Sequence, residues 1–106
     1  VVTVLEGLRK KFGSKVMVSY AEGCKITEPG SWYKDEVKLP DPKENQKLIK
    51  EAVELARSAD LVILAVGDNE LMTREGWSET HLGDRVHLDL TEDQQLLVNE
   101  IAALNK

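Results

Sequence analysis

Residues 68–85, DNELMTREGWSETHLGDR, place Asp68, Glu70, Glu75, Glu79, Asp84, His81 and Arg85 around one tryptophan, Trp77. Carboxylates at this density suit acid/base chemistry. Glu75 stands out because Gly76 and Trp77 follow it directly. An acid that donates a proton near neutral pH needs its pKa raised, and an apolar aromatic neighbour that restricts water disfavours the charged form. The face of Trp77 suits the apolar face of a sugar ring, and Gly76 allows the backbone to approach a ligand closely. The plainer reading is a solvated surface loop in which Glu75 does nothing special.

Other chemistries fit less well. His81, His87, Asp68, Glu70, Glu79 and Asp84 are metal-ligating types. They match no HExxH, paired CxxC or twelve-residue calcium-loop spacing, so no metal is expected. Asp84 and Arg85 read as an ion pair pinning the loop, and His87, between Val86 and Leu88, as an edge position. Ser78, His81 and Asp84 have the letters of a nucleophilic triad, but no G-x-S-x-G elbow presents the serine. AVGDNE has one glycine where a dinucleotide fingerprint needs three, so no cofactor is expected.

The chain that must position these residues has 106 residues, 42 % apolar and 31 % charged, with a formal net charge of −5. That composition is ordinary for a globular protein, and the acidic balance argues against a nucleic-acid or anionic-membrane partner. No apolar run is long enough to span a bilayer. Cys24 is the sole cysteine, which leaves no internal disulfide and reads as a small apolar packing residue. The first residues, VVTVLEGLRKKFG, carry neither an initiator Met nor a signal-peptide pattern, and read as the interior of a helix already under way. The expectation is a fragment.

Residues 3–12 predict a short helix with Val4, Leu5 and Leu8 on one face, ended by Gly13 in a left-handed position. KVMVSY (15–20) predicts a strand. Residues 22–42 hold all three prolines and show no sustained period, so they predict a long surface loop in which Trp32 and Tyr33 serve as an anchor or as a binding wall. Asp41 and Pro42 open a second helix, with Glu44 reaching back to the cap, and Leu48, Ala52, Leu55, Ala56 and Ala59 recur at helical spacing. DLVILAVG (60–67) predicts a strand covered on both faces. After a loop at 68–90, Thr91 and Gln94 predict a capping box on a last helix that buries Leu97, Ile101 and Leu104. The alternation implies an α/β fold: a mostly parallel sheet flanked by helices, a three-layer sandwich of which this is a part. Ligands of such sheets sit beyond the carboxyl ends of the strands, where both long loops begin.

YAEGC, ARSADLVILAVGDNE and TREGWSETHLGDRVHLDLTEDQQLLV, in that order, resemble the C-terminal α/β-sandwich domain of family 3 glycoside hydrolases, the β-glucosidases and β-xylosidases. The resemblance runs from about Thr3 to Lys106 and is weakest at 25–43. It implies that residues 1–106 are part of that domain and that the N-terminal barrel, with its aspartate nucleophile, is absent from this chain. It implies an exo-acting retaining β-glycosidase in which Glu75 is the general acid/base, Glu70 and Glu79 are the fallback candidates, and Trp77 and Glu70 bind substrate. Relatives often carry an arginine soon after the glutamate; here SETHLG intervenes before Arg85, a departure from that spacing. The implied substrate is a β-glucoside or β-xyloside, the implied partner is the missing barrel, and the implied location is periplasmic or secreted. The alternative is a non-catalytic α/β module that binds a small ligand or a protein at the same edge.

Overall fold

The computed structural model describes residues 1–34, 37–73 and 87–106. Its elements are α1 (Val4–Phe12), a 3₁₀ turn (Gly13–Lys15), α2 (Pro42–Ser58) and α3 (Glu92–Ala102).

The expected parallel sheet is not there: among the described residues no strand forms. Residues 15–20 and 60–67 exchange no backbone hydrogen bonds with each other. Most of their apolar side chains are open to solvent, Leu61 at 73 %, Ile63 at 58 % and Met17 at 90 % exposure. A continuous apolar run carries no information on whether a neighbouring strand exists, and without one no ladder forms whatever the local propensity.

α1 is not the interior of a longer helix. Thr3 is its N-cap in a complete capping box: the Thr3 hydroxyl accepts from Glu6 N at 3.2 Å, and the Glu6 carboxylate accepts from Thr3 N at 2.8 Å. Thr3-x-x-Glu6 was legible as a start signal and outweighs the apolar residues before it. Gly13 closes the helix at φ 55°. The expected apolar face of α1 is not buried; no α1 residue is.

α2 and α3 pack together and make the core: Ile49, Val53 and Ala56 from α2, Leu97 and Ile101 from α3, with Cys24, Ala52, Val62 and Leu104 packed at its margin. Asp41 accepts from Lys43 N at 2.9 Å and Pro42 follows as expected. The buried stripe of α2 is Asn45, Ile49, Val53 and Ala56, so the predicted Leu48, Ala52, Leu55 and Ala59 form its partly buried flank. Counting only apolar residues rotates the predicted face, because a buried polar residue, Asn45, anchors the true one. Residues 21–41 are irregular where described, and run across the N-terminal end of α2.

Candidate active site

Three segments meet at one end of the helix pair. Glu22, Cys24 and Ile26 from the first long loop, Ala65–Asp68, and Gln94 and Leu97 of α3 line a cavity of about 290 Å³. The glycine that lets them approach is Gly23, at φ 80°; a Cβ there would lie 2.6 Å from Leu97 Cδ2. Only glycine combines that backbone with that contact.

Buried amides hold the arrangement. Asn45 is fully buried; its Oδ1 accepts from Lys25 N at 2.8 Å and its Nδ2 donates to Lys25 O at 3.0 Å and to Asp93 Oδ2 at 2.6 Å. One side chain thus ties the first loop, α2 and α3. Gln94, 2 % exposed, accepts from Gly67 N at 2.8 Å and donates to Thr91 Oγ1 at 3.1 Å. The capping box expected of Gln94 does not form; Thr91 makes no side-chain cap bond, and Gln94 instead holds the backbone where the loop begins. Gly67 there has φ 153°. Glu44 likewise leaves its own cap: its Oε1 accepts from Lys25 Nζ at 2.8 Å. That hydrogen bond, with the charges of Glu28, Glu44 and Glu22, raises the Lys25 pKa against the opposing effect of burial.

Beyond Gly67 the chain turns at Asn69. Its Oδ1 accepts from Leu71 N and Met72 N at 3.1 and 3.2 Å, and its Nδ2 donates to Thr27 Oγ1 at 2.7 Å. The two long loops, which the sequence sends toward the same edge, are therefore joined directly. Glu70 lies in this turn, exposed. Glu75 and Trp77, with Glu79, His81, Asp84 and Arg85, lie outside the described residues. His87 is exposed. Cys24 sits half-buried at the cavity, and burial first, then the charges of Asp93 and Glu22, pushes its thiol pKa up, so it is a poor nucleophile. Trp32 and Tyr33 are both exposed. Among the described residues no three His, Cys, Asp or Glu converge as metal ligands, and no helix is long and apolar enough to cross a membrane.

Sequence reasoning passed over Asn45, Asn69 and Thr27 altogether, and it paired Gln94 with Thr91 without finding the bond from Gly67 N. The only advance signal was polar amides at positions the helical period assigns to a buried face, as for Asn45 and Gln94.

The geometry defines a loop-bearing end of a helix pair, and the comparisons give it a class. The model of the glycosyl hydrolase family 3 C-terminal domain matches residues 1–106, and the chain belongs to that family. The periplasmic β-glucosidase of Salmonella typhimurium is 32 % identical over 111 residues, covering 99 % of this chain and 14 % of that protein. A β-xylosidase of Formosa agariphila is 35 % identical over 105 residues, again 99 % of this chain and 12 % of the relative. The solved structure of a β-glucosidase, EmGH1 from Erythrobacter marinus, superposes with a TM-score of 0.84 at 34 % identity, over 99 % of this chain and 15 % of that one. The chain thus spans about a seventh of the proteins it matches.

Proposed function

We propose that this chain is part of the C-terminal domain of a retaining exo-β-glycosidase, a β-glucosidase or β-xylosidase, and that it supplies the general acid/base, Glu75. The observation that carries the reading is the family match over the whole chain, together with its similarity to a β-glucosidase and a β-xylosidase. The barrel nucleophile comes from elsewhere in a longer polypeptide, and the periplasmic relative supports a periplasmic or secreted location.

In the reaction proposed, a barrel aspartate attacks the anomeric carbon while Glu75 protonates the departing oxygen. The glycosyl-enzyme is then hydrolysed by a water that Glu75, now a carboxylate, deprotonates. A retaining pair needs its carboxyls roughly 5–5.5 Å apart. Trp77 stacks on the sugar, and Glu70, exposed in the turn just before, accepts a substrate hydroxyl.

The test is Glu75→Gln in the full-length enzyme. Loss of general-acid assistance lowers kcat/KM for aryl glycosides with poor leaving groups by about 10²–10⁴-fold. Activated aryl glycosides lose far less, and azide restores their turnover by replacing water as the acceptor. Equal losses on both substrate types would move the role to Glu70 or Glu79. The 106-residue chain alone should hydrolyse no aryl β-glucoside, and measurable turnover would contradict the division of the catalytic pair.

A further inference from the structure

The stretch between Gly67 and Thr73 is held at three points. Gln94 grips Gly67 N at 2.8 Å, Leu71 packs on Gly30, where an added Cβ would lie 3.0 Å from Leu71 Cδ1, and Asn69 reaches Thr27 Oγ1 at 2.7 Å. Asn69 also organises the turn from within. Its side chain accepts two backbone N–H groups, and its carbonyl accepts from Met72 N and from Thr73 Oγ1, both at 3.1 Å. A polar residue whose carboxamide oxygen and nitrogen are both engaged, on two different loops, is a geometric fixture, and the glutamate assigned to proton transfer lies two residues past this turn.

We propose that Asn69 is a positioning residue for the acid/base, setting the origin of the segment that carries Glu75 by clasping it to Thr27 of the first loop. The proposal rests on the assignment of Glu75. Proton transfer tolerates little displacement: a shift of about 1 Å at the reacting group can cost on the order of 100-fold. Through the Thr27 hydroxyl the first loop contributes to catalysis by positioning.

The experiment is a kinetic cycle in the full-length enzyme on aryl glycosides of graded leaving-group ability. Thr27→Val removes the clasp at nearly constant volume, Thr27→Ser keeps it, and Asn69→Ala removes both clasp and turn. Asn69→Ala and Thr27→Val should lower kcat/KM on poor leaving groups by about 10- to 100-fold and on activated ones much less. Thr27→Ser should stay within about twofold of the parent, and in a Glu75→Gln background Asn69→Ala should cost almost nothing more, since the two act as a unit. Equal losses on all leaving groups, or full additivity with Glu75→Gln, would overturn the proposal. If Asn69→Ala does not fold, Thr27→Val against Thr27→Ser decides. Should Glu75→Gln itself show no leaving-group dependence, the acid/base assignment fails; should Glu75→Gln show that dependence while Thr27→Val behaves like the parent, only the positioning role fails.

Discussion

Two buried amides carry more of this structure than any ionisable group. Asn45 satisfies both backbone polar groups of Lys25 and reaches Asp93, so its removal orphans several partners in one step. Leaving buried donors and acceptors unpaired costs about 1–3 kcal/mol per group, and Asn45→Ala should therefore lose at least about 2 kcal/mol in thermal or urea unfolding. Asn45→Asp would retain the bond from Lys25 N but set two carboxylates against each other at Asp93, and should be no better tolerated. Lys25 gives a pH signature. Its pKa is raised in the folded chain, chiefly by the hydrogen bond to Glu44, so its contribution is whole at neutral pH and is lost as pH climbs through the elevated value. Stability measured into the alkaline range should fall less steeply in Glu44→Gln, which starts without that contribution. Glu6 works the opposite way: the Thr3 backbone bond lowers its pKa, so its support of the α1 cap is present above the ordinary glutamate range and fades as pH falls through the lowered value.

At the scale of elements, helix boundaries and the buried face of α3 were legible, and the face of α2 was not. Asp41–Pro42 opens α2 where capping chemistry demands. The face of α2 went astray because Asn45 reads as a surface residue, and only its three hydrogen bonds to Lys25 and Asp93 offset its burial. α1 has the opposite history: its amphipathic pattern is real, but Leu5 and Leu8 are only partly buried and none of its residues reaches the core. Gly23 marks the close approach of the first loop to α3. Gly23→Ala meets both a positive φ and a 2.6 Å contact with Leu97, and should destabilise the α2–α3 pair by about 2–4 kcal/mol, read as a lower melting temperature. Combined with Leu97→Ala, it should cost less than the sum of the two single losses, since the clash is with that side chain.

For the whole molecule, the core is thin. Five side chains, from two helices, are its fully buried apolar content among the described residues. The radius of gyration is 16.2 Å, against about 13 Å for a compact domain of this length, and the accessible surface is 8415 Å², against about 6,000 Å² for a compact monomer of this mass. A chain that spans a seventh of its relatives and keeps so much apolar surface open has little to hold it together alone. The isolated 106 residues should unfold with a broad, weakly cooperative transition and bind a hydrophobic dye before unfolding; a sharp two-state transition would argue that the core is sufficient.

The sequence by itself determined the family, the caps of α2, the irregular first loop and the crowding of carboxylates after Gly67, because each rests on local order along the chain: capping residues, prolines, and motifs in fixed succession. Tertiary structure alone decided that residues 60–67 pair with no strand among the described residues, that Asn45 turns inward, that Gln94 holds Gly67 and that Asn69 finds Thr27 forty-two positions away. Those outcomes depend on which groups meet across the chain, and a hydrogen bond or a ladder exists only when both partners arrive.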